Sequence, residues 1–220
     1  MEIVNLTEHP SLLSTYIAEM RDVEIQKDPM RFRRNIERIG EVMAYEISRK
    51  MLFQKKDVTT PLGVASCDSL VAQPIIATIL RAGLPLHQGF LNYFDRALNA
   101  FVSAYRKITT GNQFDVHVEY IATPVIDGEV LLLVDPMLAT GSSMELSYQA
   151  LRKHGGKPSE VHLAAIIASQ QAVDYITRVI PNDVPCTLWV GAIDPTLNDH
   201  AYIIPGLGDA GDLAYGGKKQ

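Results

Sequence analysis

Val130-Leu131-Leu132-Leu133-Val134-Asp135-Pro136-Met137-Leu138-Ala139-Thr140-Gly141-Ser142-Ser143-Met144 is the stretch whose reading decides the fold. Its unbroken apolar run ends in a carboxylate, the pattern of a strand covered on both faces, as in parallel sheets flanked by helices. A short turn of small, hydroxylated residues follows. An amphipathic helix then carries Met144, Leu146, Ala150 and Leu151. In an open α/β sheet, ligands bind beyond the carboxyl ends of the strands. A helix N-terminus at that place offers unpaired N–H groups and partial positive charge, which suits a phosphate. Small residues at Ala139 and Gly141 let the backbone approach the anion, and Thr140, Ser142 and Ser143 add hydroxyl donors. Asp135, an acceptor when ionised, suits the two hydroxyls of a sugar attached to that phosphate. A lone Thr-Gly-Ser triplet would more simply cap a helix. The whole string, led by its aspartate, favours a ligand site.

Outward from this stretch, short apolar runs alternate with helical ones. Residues 74–80, 100–105, 130–134, 161–168 and 187–193 read as strands. Residues 84–94, 142–154 and 170–180 read as helices, the second ended by Gly155-Gly156. This alternation predicts an α/β fold with an open parallel sheet flanked by helices on both faces. Residues 107–126 break the rhythm and read as a flexible loop and β-arm, with Val116, Val118 and Tyr120 at period two. Upstream, Asp28 caps a helix that starts at Pro29, since proline's missing N–H costs nothing there. Phe32, Ile36, Ile39, Met43 and Ile47 form its apolar stripe. Arg31, Arg33, Arg34, Glu37, Arg38 and Glu41 form its solvated face. The chain is read as one domain over 1–220, with N-terminal helices in 11–52, a core in 59–193 and a C-terminal segment in 194–215.

With 220 residues, 47% hydrophobic and 20% charged, the chain can bury a substantial core. No apolar run reaches the length of a membrane span, and no basic-then-apolar leader opens the sequence. Cys67 and Cys186 stand far apart, outside any metal-type spacing, so a reducing cytoplasm is the expected setting. A net charge of −5 argues against general nucleic-acid binding, which favours a basic face. The six histidines show no metal spacing. Trp189 reads as core, and His200 lies in the C-terminal segment, just before residues 203–212.

Arg81 and Arg106 each follow an expected strand. A guanidinium suits pyrophosphate because its rigid fork donates bidentately and keeps its charge. Either alone reads as a surface ion pair; together, each at a strand end, they point to pyrophosphate. Lys107, Thr109 and Thr110 are possible helpers from the loop. Gly206-Leu207-Gly208-Asp209-Ala210-Gly211 matches the dinucleotide pattern G-x-G-x-x-G in form only. That fingerprint needs a preceding strand, a following helix and an acidic residue about 20 positions on, and nine residues remain after Gly211. The exposed backbone of such a loop can instead pair with the edge of a flat heterocycle.

Residues 135–143 resemble the phosphoribosyl pyrophosphate signature of phosphoribosyltransferases, and Asp-Pro-Met-Leu-Ala-Thr-Gly-Ser-Ser resembles the uracil phosphoribosyltransferases in particular. Ile79-Leu80-Arg81-Ala82-Gly83-Leu84 is similar to that family's pyrophosphate loop, Tyr105-Arg106 to its second arginine site, and 203–212 to its uracil-binding segment. The resemblance implies transfer of ribose 5-phosphate from phosphoribosyl pyrophosphate to uracil, giving UMP and pyrophosphate, with Mg²⁺ on the pyrophosphate. It assigns Arg81, Arg106, Asp135, Pro136, Met137, Leu138, Ala139, Thr140, Gly141, Ser142, Ser143 and Asp209 to phosphoribosyl pyrophosphate. It assigns Ile203, Gly208, Asp209 and Ala210 to uracil. Arg81, Arg106, Asp135 and Asp209 are the implied catalytic group, with Asp209 the candidate base. A homo-oligomer, dimer or higher, and activation by GTP are further implications. Thr78, Ser142, Ala201 and 107–110 depart from the family pattern. Two other readings share the phosphate site: a regulator that senses phosphoribosyl pyrophosphate or uridine nucleotides, and a transferase for another base.

Overall fold

The computed structural model describes residues 1–109 and 113–217, and for 104–109 and 113–118 the backbone alone. The elements run β1 (Glu2–Asn5), α1 (Leu12–Arg21), a 3₁₀ turn at Ile25–Lys27, α2 (Pro29–Ser48), β2 (Phe53–Thr60), β3 (Gly63–Leu70), β4 (Ile75–Leu80) and α3 (Gly83–Leu91). The chain continues through β5 (Leu98–Thr109), β6 (Gln113–Ala122), β7 (Val130–Val134), β8 (Met137–Leu138), α4 (Ser142–Gly155), β9 (Glu160–Ser169) and α5 (Gln170–Val179). It closes with β10 (Cys186–Asp194), β11 (Thr196–Leu197), β12 (Ile203–Ile204) and α6 (Ala210–Tyr215).

The main sheet has the order β1-β10-β9-β7-β4-β5-β6, with β8 added against β9. All its pairings are parallel except β5 with β6. Strand side chains alternate between faces, so the continuous apolar runs supply two cores. Ile76, Leu132, Val134, Ala164 and Ile166 face α1, α2 and α3, where Leu13, Ile17, Phe32 and Leu86 are buried. Ile75, Leu131, Leu133, Leu163 and Ala165 face α4 and α5, where Met144, Tyr148, Leu151 and Ile176 are buried. The sheet is thus covered on both faces, as its apolar strands predict.

Helix α2 starts as its sequence predicts: Asp28 accepts from the Met30 and Arg31 amides at 2.9 and 3.1 Å, and Pro29 is its first residue. Its whole apolar stripe, from Phe32 to Ile47, is buried. Residues 107–109 and 113–122 belong to an antiparallel arm, β5 with β6, bulged at Ser103/Ala104. Here the sequence reading is corrected: β5 does not stop at Tyr105 but runs on to Thr109, because pairing with β6 continues the ladder. Arg106 therefore lies within the strand, in register with Val116, and not at a strand end. The side chains of Arg106, Lys107 and Thr109, and all of Thr110, lie outside the described residues.

Besides the short β8, β11, β12 and α6, which the sequence reading does not contain, two further features differ from it. The edge strand β1, parallel to β10, was not expected. Nor was the hairpin of β2 and β3, which among the described residues pair only with each other and straddle the expected core boundary at 59. Its strands are polar and almost wholly exposed, so they lack the apolar alternation that marks a half-buried strand. Among the described residues, no helix is long and apolar enough to cross a membrane.

The amino ends of β9 and β10 hold a buried histidine. Trp189 Nε1 donates to His162 Nδ1 at 3.1 Å, so the neutral ring carries its proton on Nε2, 3.4 Å from Glu160. Burial, then the nearby Lys50 ammonium, pushes the His162 pKa down to about 4. The unfolded chain takes up this proton below about pH 6.5 and the folded one only near 4, so stability is lost as pH falls through that window. The loss is about 3 kcal/mol from this group. Urea unfolding at pH 7 and pH 4 should show it, and His162→Gln should remove that part of the slope. An unchanged slope in the variant would show that His162 is not the group responsible.

Candidate active site

Chain direction brings the two loops together. From β4 the chain passes to β5 on one side; β7 lies on the other side of β4. The loops after β4 and β7 therefore diverge to opposite faces, α3 packing on one and α4 on the other. Such a switch point opens a crevice at the carboxyl ends of the strands. Arg81 is the first residue after β4 and Asp135 the first after β7, with Thr78 in register with Val134. A Cβ on Gly83 would stand 2.1 Å from Thr78 Oγ1 and 3.4 Å from the Val134 carbonyl oxygen, so the two turns are in close contact. Thr78 is fully buried there, its hydroxyl 3.5 Å from that same oxygen.

The loop after β7 is held from beneath. The Asp135 amide donates to Ala164 O, and Pro136 O accepts from the Ile166 and Ile167 amides at 3.1 Å each. Pro136 and Leu138 are buried, and β8 pairs with β9, so these two residues stitch the loop to the sheet. Asp135, Met137, Ala139, Thr140, Gly141 and Ser143 line one depression above it. Asp135 Oδ1 accepts from the Met137 amide at 3.3 Å. Thr140 Oγ1 donates to Ser142 Oγ at 3.2 Å and accepts from the Ser142 amide at 3.4 Å. Gly141 is the N-cap of α4 at φ +86°, and a Cβ there would meet the Tyr175 ring at 2.7 Å. Only glycine satisfies both the backbone and the contact. Glu145 stands in the first turn of α4, with Arg152, Lys153 and His154 in the last, as the helix dipole favours.

Two supports went unread in the sequence. Ser169 Oγ donates to Ala139 O at 2.6 Å and caps α5 by accepting from the Ala172 amide. A serine just before an expected helix at 170 was the available signal. Tyr175 packs on Gly141 and donates to Glu145 Oε2 at 2.5 Å, a bond that, with burial, raises its pKa. Nothing local in the sequence marks that contact.

The C-terminal segment closes over Arg81. Arg81 Nη2 donates to Asp212 Oδ1 at 2.9 Å and Nη1 to Gly216 O at 3.3 Å. Asp209 is the N-cap of α6, its Oδ1 accepting from the Asp212 amide at 2.9 Å. A Cβ on Gly211 would lie 3.2 Å from Asp209 Oδ1 and 3.3 Å from Arg81 Nη2, so arginine, Asp209 and Asp212 share one patch. Ile203 and Ala210 are buried, while Gly208, at φ +95°, is exposed. Gly206 is committed elsewhere: its amide donates to Asp194 Oδ2 at 2.9 Å and its carbonyl accepts from Arg21 Nη1 at 2.9 Å. His200 is exposed and Trp189 is core.

Ala201 adopts φ +59°, the left-handed region. The Asn198–Tyr202 turn imposes it: the Ala201 amide donates to Asn198 O and the Tyr202 amide to Asn198 Oδ1, each at 2.9 Å. A Cβ in that region costs about 1 kcal/mol, so Ala201→Gly should stabilise the chain by up to about that much. Thermal unfolding checks it; an unchanged or lower Tm would show the turn unstrained.

The model of the uracil phosphoribosyltransferase family matches residues 6–217. A uracil phosphoribosyltransferase of Porphyromonas gingivalis is 62% identical over 218 residues, covering 99% of this chain and all of that one. One of Methanothermobacter thermautotrophicus is 37% identical over 191 residues, covering 86% and 85% of the two chains. The solved structure of the AQ2163 protein of Aquifex aeolicus superposes with a TM-score of 0.85 at 30% identity, covering 97% of this chain and 98% of that one. The chain belongs to the uracil phosphoribosyltransferase family.

Proposed function

We propose that the chain transfers ribose 5-phosphate from phosphoribosyl pyrophosphate to uracil, releasing UMP and pyrophosphate. The observation that carries this reading is the family match over 6–217, which spans the phosphate loop and the C-terminal segment together. In the reaction the bond from the anomeric carbon to pyrophosphate breaks, a bond to the uracil ring nitrogen forms, and that nitrogen loses its proton. Positive charge develops on the sugar and negative charge on the leaving group. Positioning and fixed charge therefore do most of the work.

In this reading the amino end of α4 holds the 5-phosphate, with Thr140, Ser142 and Ser143 around it. Asp135 faces the ribose hydroxyls, and Arg81 and Arg106 meet the pyrophosphate. The exposed backbone around Gly208 reads the base above buried Ile203 and Ala210. Asp209 lies at the junction of base and sugar; its Oδ1 already caps α6, and the proton is assigned to no side chain. Magnesium belongs to the proposal as an ion carried on the pyrophosphate, keeping several waters. Asp135, at the strand end beside the phosphate loop, is the carboxylate whose place fits it, and the ion would neutralise leaving-group charge. A homo-oligomer would cover the β2–β3 hairpin, where Val58, Leu62 and Val64 are exposed. The setting proposed is the cytoplasm.

Turnover of phosphoribosyl pyrophosphate with a panel of free bases tests the reading. Uracil should be the best acceptor. Preference for a purine with uracil inert would assign the site to another base, and no turnover with any base would favour a sensor.

A further inference from the structure

The arginine assigned to pyrophosphate already has a carboxylate partner in the C-terminal helix. Arg81 Nη2 and Nη1 bond Asp212 Oδ1 and Gly216 O, at the first turn and just past the last turn of α6. Arg81 Nε is buried with no partner among the described residues. The fork is thus aligned along α6, with both terminal nitrogens engaged. Asp212 takes no other part in the reaction as read above: its amide serves the Asp209 cap, and its side chain serves Arg81. The ion pair is about two-fifths exposed on the aspartate side and one-third on the arginine side, so water and a second anion can reach it.

We propose that Asp212 is a positioning residue that competes with pyrophosphate for Arg81. A carboxylate and a pyrophosphate oxygen want the same planar donors at the same distance. Two anions on one guanidinium also repel. Asp212 therefore holds the fork at the strand end, yields it when pyrophosphate arrives, and takes it back as pyrophosphate leaves. The role lowers affinity for the leaving group and leaves the base site alone. It rests on the assignment of Arg81 to pyrophosphate.

The test is calorimetric titration of magnesium diphosphate into the full chain and into Asp212→Asn, Asp212→Ser, Asp212→Glu, Arg81→Ala and Arg81→Ala/Asp212→Asn, with steady-state kinetics in parallel. A half-exposed pair of this kind corresponds to about a two- to fivefold change in binding. Asp212→Asn and Asp212→Ser should bind diphosphate tighter by that factor, and Asp212→Glu should return to the parent value. The gain should vanish in the Arg81→Ala background. KM for phosphoribosyl pyrophosphate should fall in step, with KM for uracil unchanged, a split that a merely structural role would not produce. Unchanged or weaker diphosphate binding in both Asp212→Asn and Asp212→Ser, while Arg81→Ala loses affinity, would overturn the competition alone. Unfolding of both would do so too, by making Asp212 a structural residue. Undiminished diphosphate binding in Arg81→Ala would instead remove Arg81 from the pyrophosphate site, and the competition with it.

Discussion

Asp194→Ala is expected to lower the free energy of unfolding by about 3–5 kcal/mol, out of a total of about 5–15 kcal/mol for a typical domain. Asp194 ends β10 and is 5% exposed. Its two oxygens accept from Arg21 Nη1 and Nη2 at 2.8 and 2.7 Å, and Oδ2 also accepts from the Gly206 amide. Arg21 in turn donates to the Gly206 carbonyl. Alanine leaves a guanidinium without its charge partner and a buried amide without its acceptor, both costly. Arg21 is 24% exposed at its side chain, so water recovers some of its charge, which favours the lower end of the range. The same change frees the turn that leads into Gly208, so KM for uracil should rise more than KM for phosphoribosyl pyrophosphate. Urea unfolding measures the first effect. Arg21→Ala/Asp194→Ala should lose less than the sum of the single variants, because the two residues act as one unit. A loss below about 1 kcal/mol, the range of an exposed pair, would mean that the clamp does not hold the turn.

Arg81→Ala is expected to lower kcat/KM for phosphoribosyl pyrophosphate by one to two orders of magnitude. Charge-assisted hydrogen bonds are worth about 1.5–3 kcal/mol, and about 1.36 kcal/mol is a factor of ten in rate. The leaving group becomes more negative in the transition state, so part of the loss should fall on kcat. Lysine should rescue only partly, since it keeps the charge and loses the fork. Arg81 also ties β4 to α6 through Asp212 and Gly216. That pair is half exposed, so the cost to stability should stay within about 1 kcal/mol. Full activity in the alanine variant would remove this strand end from pyrophosphate handling.

The sheet was legible because its strands are continuous apolar runs of the right length. Val130–Val134 sits within both cores, and α4 begins at Ser142, where the hydroxylated turn ends. Helix α2 was legible from Asp28, Pro29 and one stripe. Hairpin β2–β3 was not, since a polar ribbon whose described strands pair with each other and lie almost wholly exposed carries no hydrophobic period. Edge strand β1, with Glu2 and Ile3 exposed, hides for a similar reason.

At the site, the sequence by itself determined that Arg81 and Asp135 stand at strand ends and which turn opens a helix. These are local facts: apolar period, caps and small residues act over a few neighbours. Arg106, read at a strand end, instead lies inside β5 because pairing with β6 prolongs that strand. The partners of those residues were decided only by tertiary structure. Arg81 meets Asp212 across 131 positions, Arg21 meets Asp194 across 173, and Ser169 meets Ala139 across 30. None of these pairings has a spacing that local periodicity can express. They arise because parallel strands leave the sheet in one direction, so loops distant in the chain converge on one edge. There the chain's reversal between β4 and β7 opens the crevice, and the C-terminal segment folds back onto Arg81 at that edge.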